Sequence, residues 1–476
     1  MDFSELCPCR FQSFTFPNPN PNPNPNPNPN PPHHYSDPLR VAVLDSPVTS
    51  PQGKAPTTSA MLVPPGRESD WIFSTEAGHL HLLLSSSSSS PPFSRLVLIG
   101  SLPSSFPIPY TRLPLLPDKD LYSIQDSLLP LLLAISPKSA FDHGSIPQVP
   151  FLSFEDDALH ILPLEVLDGP SVGEMIVEDV AIQKDGSCVP QIRRRLRFKR
   201  MPNLIQTQIR FIPDFDLSSC SSTDFLSVLK SRSFRLEPAS LVQPYLAPMV
   251  AGLSLIANVA EEKIASEIRP SCLCVGVGGG ALLTYLRTQL GFNVHGLETD
   301  SVVVDVARKY FGLVEDEFLR ISIGDGIGII KRYAQEKERG NNRLEKLSSS
   351  FDAIMVDLDS EDVISGVSAP PLEFIEEEVL LAVKSILCKN GVLVINVIPP
   401  LDDRSFYRHF VSVLSNMFVE LYKIDVQDNE NFVIVATRSE IQDSSGESRH
   451  QFLTKLEEVV GPQLVSSITK ISSYNA

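Results

Sequence analysis

The chain has 476 residues, of which 42% are hydrophobic, and it carries a formal net charge of −17. This length accommodates two or three domains, each with an ordinary hydrophobic core. The negative charge disfavours a general binder of nucleic acid or of anionic membranes, because both require a positive surface. No apolar run reaches the length of a transmembrane helix;. We therefore expect a multidomain protein that binds neither nucleic acid nor membrane.

The seven cysteines are odd in number and scattered along the chain. This distribution is typical of a reducing compartment rather than of a disulfide framework, so we expect a cytoplasmic location. The acid-free segment 11–15 leaves a plastid transit peptide open as an alternative. No metal site is expected, because the pairs Cys7/Cys9 and His79/His81 lack a partner pair at ligand spacing;.

The first part of the chain predicts a low-complexity tail and then a small domain. The alternating Pro–Asn tract at 17–32 cannot form a helix or a sheet ladder, so we expect residues 1–37 to be disordered;. Residues 38–150 are expected to form a small α/β or β-rich accessory region. The elements predicted there are strands at Leu39–Asp45 and Arg95–Gly100 and a helix at Leu121–Ile135;.

Residues 151–240 predict a β-rich segment that leads into the next domain. Its strand-like runs are Met175–Ala181, Gln191–Lys199 and Leu204–Ile212;. The second run contains a dense basic patch, Arg193–Arg200. We interpret this patch as a strand with solvated charges, and the alternative is a docking strip for an acidic partner.

Residues 241–440 alternate between strands and helices, which is typical of a parallel sheet with helical crossovers. The last two runs, Val419–Val426 and Phe432–Thr437, are joined by a link too short for a crossover helix, so they must form an antiparallel hairpin;. Residues 441–476 are expected to be a tail with one surface helix. The predicted parallel strands are Cys272–Val277, Asn293–Leu297, Leu319–Ile323, Phe351–Val356 and Gly391–Val397.

A glycine cluster follows the first parallel strand and predicts a nucleotide-type cofactor site. Gly276, Gly278 and Gly280 let the backbone turn sharply and approach a ligand, and Glu298 about twenty residues on can accept from ribose hydroxyls;. The motif alone serves NAD and S-adenosylmethionine (SAM) equally. Five parallel strands with a closing hairpin depart from the six-stranded dinucleotide fold and match the seven-stranded, Rossmann-like α/β fold of class I SAM-dependent methyltransferases.

Polar residues also follow the other strands, whose carboxyl ends line the ligand crevice of an open α/β sheet. Asp325 and Gly326 form a turn after the third strand, and the carboxylate can accept from an adenine amino group. Asp357 follows the fourth strand, and Asp359 and Asn396 are second-rank candidates for the same pocket. We expect these strand ends to form one cofactor and substrate site.

These motifs resemble those of the spermidine-synthase-like methyltransferases. The likeness rests on VGVGGG at 275–280, LETD at 297–300, GDG at 324–326 and VDLDSED at 356–362, and PYLAPMVAGL at 244–253 extends it. The chain is similar in particular to the C-terminal half of the dual lysine/N-terminal methyltransferases of translation elongation factor one-alpha. The likeness covers roughly residues 38–440. It leaves out the family's first methyltransferase domain, which carries the lysine activity, so lysine methylation is not implied.

The resemblance implies an enzyme that transfers a methyl group from SAM to a protein amine. The implied substrate is an N-terminal α-amine, with elongation factor one-alpha as the candidate protein, and a homodimer is allowed. Gln206 resembles the family glutamine that grips the amino-acid end of the cofactor. Asp357 occupies the position of the catalytic aspartate of spermidine synthases.

Other functions stay open beside this one. A spermidine-synthase-like aminopropyltransferase shares the fold, but those enzymes carry an aspartate where Gly279 stands, and their polyamine-binding tyrosine is not evident here. A non-catalytic scaffold with the SAM fold is another alternative, and the presence of Glu298 and Asp357 counts against it, because a scaffold does not require them. A small-molecule methyltransferase also stays open, because no motif defines the substrate pocket.

Overall fold

A computed structural model of the chain divides into two compact units. The first comprises Met1–Val166, Glu174–Ile205 and Pro213–Arg235, and the second comprises Leu167–Gly173, Gln206–Ile212 and Leu236–Ala476. These units differ from the predicted domains, because the second unit includes two short segments of the predicted β-rich region 151–240. The structure describes residues 2–20, 35–47, 55–86, 93–103, 108–112, 118–141, 145–154, 157–183, 190–214, 227, 229–230, 234–237, 240–339, 350–360, 369–399, 404–426, 431–441 and 451–471.

Two sheets are formed by the elements that precede residue 240. One has the strand order β1-β2-β4-β3-β6 and the other β11-β10-β9-β8-β7-β5. The strands are β1 (Phe11–Phe16), β2 (Leu39–Asp45), β3 (Thr58–Leu62), β4 (Arg95–Gly100), β5 (Tyr110–Thr111), β6 (Phe151–Leu152), β7 (Ala158–Gly169), β8 (Gly173–Ile182), β9 (Gln191–Phe198), β10 (Met201–Pro213) and β11 (Phe234–Glu237), and the helices are α1 (Trp71–Ser74), α2 (Glu76–Ser86) and α3 (Asp118–Ala134).

The N-terminal segment corrects the prediction that residues 1–37 are disordered. Strand β1 pairs antiparallel with β2 along its whole length. Its phenylalanines pack against hydrophobic clusters of the first unit, Phe14 and Phe16 on one cluster and Phe11 on another. The prediction was wrong for this strand because it extended the composition of the Pro–Asn tract to its neighbours. Residues 21–32 of the tract lie outside the described residues.

The basic patch Arg193–Arg200 begins on a strand as predicted, β9, but its arginines are not all solvated. The antiparallel register of β8 and β9 places Glu178 opposite Arg195 and Asp179 opposite Arg194. Arg195 and Arg197 are buried, and both donate to Glu178, Arg197 from Nε at 2.9 Å. Three arginines of the patch therefore belong to an ion-pair network with Glu178 and Asp179 on β8.

The second unit contains an eight-stranded sheet with the order β14-β13-β12-β15-β16-β18-β17-β19. The strands are β12 (Ser271–Val275), β13 (Asn293–Glu298), β14 (Leu319–Ile323), β15 (Phe351–Val356), β16 (Leu387–Val397), β17 (Glu420–Asp425), β18 (Phe432–Thr437) and β19 (Thr469–Lys470), and the helices are α4 (Leu246–Ala251), α5 (Ala257–Ala265), α6 (Ala281–Thr288), α7 (Ser301–Tyr310), α8 (Gly326–Glu338), α9 (Glu377–Ile386), α10 (Arg404–Met417), α11 (Gln451–Val460) and α12 (Pro462–Ser466).

The mixed α/β class predicted for this region is confirmed. Strands β12 to β16 pair in parallel, and β17 and β18 form the predicted antiparallel hairpin. The sheet has one strand more than predicted, because β19 pairs with β17. None of the helices within the described ranges is long and apolar enough to cross a membrane.

The C-terminal segment contains the predicted helix as α11, but the segment is more than a tail. Phe452 and Leu456 lie one turn apart on α11 and are buried in the core of the second unit. The backbone amide of Phe452 donates to the Glu261 carboxylate at 2.8 Å. The segment is therefore part of the second unit's fold, because the apolar face of α11 completes its core.

The buried network of the first unit gives a stability prediction. Glu178→Ala leaves Arg195 and Arg197 without the carboxylate that neutralises them, so we expect a loss of about 3–5 kcal/mol in the free energy of unfolding. Asp214→Ala is the matched control, because Asp214 and its partner Arg235 are exposed (52% and 72%) and the expected change is below about 1 kcal/mol. Urea denaturation measures both, and equal losses would contradict the role assigned to Glu178.

Candidate active site

The loop between β12 and α6 lies at the carboxyl edge of the sheet and depends on its glycines. Gly276, Gly278 and Gly280 have positive φ angles of 94°, 51° and 79°, a region that side-chain-bearing residues rarely adopt. Gly276 also approaches β15 closely, since a Cβ there would lie 2.1 Å from the carbonyl oxygen of Asp357. The glycine loop is therefore packed directly against the residue predicted to be catalytic.

The backbone amides of this loop are already occupied. Val277 and Gly278 donate to one oxygen of Glu298 at 3.1 and 3.3 Å, and Gly279 donates to the hydroxyl of Thr207 at 2.8 Å. A loop that binds a diphosphate offers such amides to the phosphate oxygens. Here a carboxylate and a hydroxyl take them, so the loop suits a nucleoside ligand without a diphosphate.

Glu298 ends β13 and holds the glycine loop through one of its carboxylate oxygens. Its second oxygen accepts from the amides of Thr299 and Asp300 at 2.9 and 3.2 Å. The side chain is 9% exposed, and burial raises the pKa of its carboxyl although these amides oppose the rise. The structure thus places Glu298 beside the glycine loop as the sequence predicted, and its role as a ribose acceptor stays a prediction.

Asp357 follows β15 and is held by two neutral donors. The hydroxyl of Tyr245 donates to one carboxylate oxygen at 3.0 Å, and the amide of Asn396 donates to the other at 3.1 Å. Asn431 in turn donates to the Asn396 oxygen at 3.2 Å. Two side chains therefore orient the carboxylate directly, and Asn396 is a neighbour of Asp357 as expected.

The environment of Asp357 changes its acidity. Burial raises the pKa of this carboxyl to about 6, and the hydrogen bonds from Asn396 and Tyr245 oppose the rise. Burial and the negative charge of Asp357 raise the pKa of the Tyr245 phenol well above its ordinary value, so Tyr245 stays a donor. A carboxyl that titrates near neutral pH can accept a proton from a bound group, as a general base does.

Asp325 and Gly326 form the turn from β14 into α8. Gly326 is the first residue of the helix, and the Asp325 carboxylate caps it by accepting from the amides of Ile327 and Gly328 at 3.1 and 2.9 Å. Strand pairing places Ile323, two residues earlier, opposite Glu298. The turn is therefore next to the predicted ribose acceptor, and adenine recognition by Asp325 stays a prediction.

Gln206 lies on the part of β10 that belongs to the second unit. Its side-chain nitrogen is buried and has no hydrogen-bond partner among the described residues. An unpaired buried donor is costly unless a ligand satisfies it, so Gln206 suits a ligand acceptor such as a carboxylate. Thr207, the next residue, is the β10 side chain that contacts the glycine loop.

Sequence reasoning missed two residues that contact the predicted site. Tyr245 belongs to the PYLAPMVAGL segment, which carried a likeness but no assigned role, and Thr207 follows the predicted Gln206. Thr207 contacts Gly279 and Tyr245 contacts Asp357. Each pair is more than seventy residues apart in the chain, and no sequence spacing predicts such a contact.

Comparison with known proteins agrees with the resemblance seen in the motifs. The chain is 28% identical to the eEF1A lysine and N-terminal methyltransferase of Xenopus laevis over 380 residues, covering 78% of this chain and 49% of that protein. It is 28% identical to the Danio rerio protein of the same name over 417 residues, covering 84% of this chain and 53% of that protein. The resemblance is therefore confirmed, and the chain spans about half the length of these curated relatives.

No protein-family model matches the chain. Among solved structures, it is similar to human methyltransferase-like protein 13 in complex with SAH, with 24% identity and a TM-score of 0.37. That match covers 48% of this chain and 96% of the solved chain.

The raised pKa of Asp357 gives a pH prediction. Since its pKa in the folded protein is about 6 and its ordinary value is 3.8, the folded chain keeps a proton that the unfolded chain releases between these values. As the pH rises through this window, wild type should lose up to roughly 3 kcal/mol more stability than Asp357→Asn. Urea denaturation of both proteins across the window measures the difference.

A second variant tests the cause of this pH dependence. Tyr245→Phe removes a donor to the ionised carboxylate, so the pKa of Asp357 should rise further and the loss of stability should extend to higher pH. Identical pH slopes for wild type and Asp357→Asn would show that this carboxyl has an ordinary pKa.

Proposed function

We propose that the chain is a SAM-dependent methyltransferase that modifies a protein amine. The observation that carries the proposal is the Asp357 carboxylate, which Tyr245 and Asn396 orient beside a glycine loop with occupied amides. Such a carboxylate can hold an amine, and such a loop suits a nucleoside cofactor. The names of the curated relatives support methyl transfer to protein amines.

SAM fits the residues that surround the loop. It is a nucleoside without phosphate groups, as the occupied amides require, and when bound it supplies an activated methyl group. Glu298 would hold the ribose and Asp325 the adenine. The unpaired side-chain nitrogen of Gln206 suits the cofactor's carboxylate. A dinucleotide fits poorly, because the carboxylate of Glu298 would repel its diphosphate where the loop amides are taken.

The chain's own residues then act on the substrate amine. An amine attacks only in its neutral form, and an α-amino group with a pKa near 8 is about one-tenth neutral at pH 7. Asp357, with a pKa of about 6, is mostly ionised at that pH and can accept the amine's hydrogen bond and proton. Tyr245 and Asn396 orient the carboxylate, so the amine's lone pair is aimed before reaction.

The proposed substrate is the N-terminal α-amine of elongation factor one-alpha. The relatives that cover this chain are named for that protein, and an α-amine demands less of a base than lysine, whose pKa is about 10.4. Because the chain spans about half of those relatives, their lysine activity is not carried over. A cytoplasmic location and a homodimer stay predictions from the sequence.

Aminopropyl transfer is the second candidate function. Asp357 stands where spermidine synthases have their catalytic aspartate, and its carboxylate would hold a polyamine amine equally well. Decarboxylated SAM with putrescine therefore belongs in every assay as a competing reaction.

Calorimetric titration tests the cofactor. We expect micromolar binding of SAM and S-adenosylhomocysteine to the full chain, with NAD and decarboxylated SAM at least tenfold weaker. Glu298→Gln should weaken SAM binding at least tenfold, because one ribose acceptor is replaced by a donor. Tight binding of NAD would overturn the cofactor assignment, and absence of binding by all four ligands would favour a scaffold.

Methyl transfer tests the role of Asp357. With labelled SAM and an N-terminal peptide of elongation factor one-alpha, Asp357→Asn should slow transfer about 10²–10⁴-fold, the usual contribution of acid–base catalysis. It should leave SAM affinity within about threefold. Asp305→Asn is the matched control, because Asp305 is 72% exposed on α7. Equal labelling of an N-acetylated peptide would contradict an α-amine substrate.

A further inference from the structure

The side-chain amide of Asn396 bridges the proposed base and a second asparagine. Asn396 is 2% exposed on β16, and its Nδ2 donates to Asp357 at 3.1 Å. Its Oδ1 accepts from Nδ2 of Asn431 at 3.2 Å. The antiparallel pairing of β16 and β18 places Val433, two residues after Asn431, opposite Asn396. Asn431 therefore reaches the Asn396 side chain from the neighbouring strand.

The position of Asn431 is fixed by the residue that follows it. Phe432 is 8% exposed, begins the pairing of β18 with β16, and packs against Tyr407 with ring centroids 5.4 Å apart. The ammonium of Lys423 lies 5.2 Å from the centroid of the Phe432 ring. These contacts anchor the start of β18 at the carboxyl edge of the sheet. An anchored stretch of backbone thus presents the Asn431 side chain to Asn396.

The two ends of an asparagine amide are chemically different. The nitrogen only donates and the oxygen only accepts, whereas an ionised carboxylate only accepts. Asn396 can therefore hydrogen-bond the ionised form of Asp357 in one orientation only. In the reversed orientation its oxygen would face the carboxylate and its nitrogen would face the nitrogen of Asn431. Two hydrogen bonds would give way to two repulsive contacts at a buried position, where unmade bonds are costly.

We propose that Asn431 is a positioning residue that holds the Asn396 amide with its nitrogen toward Asp357. Because the oxygen of Asn396 is paired with Asn431, the nitrogen is left to point at the carboxylate. The effect of Asn431 on the proposed base thus passes through Asn396. The inference rests on the proposed function for the role of Asp357 as a base, whereas the arrangement of the two amides does not depend on that function.

The orientation of the Asn396 amide affects the acidity of Asp357. Burial raises the pKa of this carboxyl to about 6, and the hydrogen bond from Asn396 opposes the rise. If the amide reverses, this bond is lost and a carbonyl oxygen faces the carboxylate, so the pKa of Asp357 rises further. Tyr245, which donates to Asp357, and Asp359, whose charge raises the same pKa, are common to all variants. A neutral substitution at position 431 therefore reports on the amide.

Asn431→Leu tests the proposal without a change of charge. Leucine is close to asparagine in volume but donates no hydrogen bond, so the Asn396 amide is free to reverse. The pH range over which the protein loses stability relative to Asp357→Asn should then extend upward by about 0.5–1 pH unit. Urea denaturation to about pH 8 measures this range, with Asp357→Asn in the same background as reference. The measurement requires neither cofactor nor substrate.

Asn431→Asp reverses the polarity of the side chain and keeps its shape. The introduced carboxylate only accepts, so the nitrogen of Asn396 should turn toward it and the oxygen toward Asp357. The pH range should extend further than in Asn431→Leu, because a repulsive contact replaces the lost hydrogen bond. Asn390→Asp is the matched control, since it adds the same charge at an exposed position of β16. It should leave the pH range unchanged.

Methyl transfer shows whether the amide matters to the proposed reaction. If the pKa of Asp357 rises from about 6 to about 7, its ionised fraction falls about fivefold at pH 6 and by less than about a tenth at pH 8. Asn431→Leu should therefore lower kcat about fivefold at pH 6 and leave it near the wild-type value at pH 8, with KM for the peptide within about threefold. A merely structural role would lower kcat equally at both pH values.

The outcomes separate the proposal from its alternatives. An unchanged pH range in Asn431→Leu overturns it even if Asn431→Asp extends the range, because charge alone would then explain that effect. An equal loss of kcat at both pH values overturns it as well. Wild type without methyl transfer at any pH overturns the proposed function instead, and the stability measurements on Asn431 still decide the positioning role.

A measurement on the wild-type chain decides the case if neither variant at position 431 folds. With asparagine side chains labelled for NMR, the amide resonances of Asn396 and Asn431 should both shift as Asp357 titrates, because the two amides are linked in one chain of hydrogen bonds;. An Asn431 amide that does not respond while the Asn396 amide shifts would overturn the proposal.

Discussion

The arrangement of the second unit's site depends on the hydrogen bonds that the Glu298 carboxylate accepts from the backbone. Its two oxygens accept from four backbone amides, two in the glycine loop and two at the start of the connection to α7. One side chain therefore fixes the loop after β12 against the end of β13. With these amides occupied, the loop has lost the donors that a diphosphate would need. The same bonds that stabilise the loop thus restrict the ligands that it can accept.

The glycine loop and Asp357 are in direct backbone contact. The amide of Asp357 donates to the carbonyl of Val275 at 2.9 Å, in continuation of the parallel pairing of β12 and β15. Gly276 lies so near the Asp357 carbonyl that a single methyl group would not fit. The proposed cofactor loop and the proposed base therefore share one rigid edge of the sheet, which is the preorganisation that methyl transfer in line requires.

The two units bury carboxylates in opposite ways. Burial raises the pKa of Glu178, but Arg195 and Arg197 outweigh it and lower the value below the ordinary range. Asp357 has neutral donors in place of arginines, so burial prevails and its pKa is raised to about 6. A carboxylate paired with cations serves the fold, because its charge is constant. The Asp357 carboxylate can change its charge near neutral pH, because the hydrogen bonds from Tyr245 and Asn396 offset only part of the rise in pKa that burial causes.

The sequence by itself determined the α/β alternation, the closing hairpin and the strand ends that carry Glu298 and Asp357. These features depend on local apolar periodicity and on the short link between the last two strands, which a linear pattern records. It did not predict that Arg195 and Arg197 are buried against Glu178, that Phe452 completes a core, or that Tyr245 and Thr207 reach the site. Those contacts join residues far apart in the chain, and no local pattern specifies them. Strand register and close packing decide them, so only the tertiary structure places the hydroxyls of Tyr245 and Thr207 at Asp357 and Gly279.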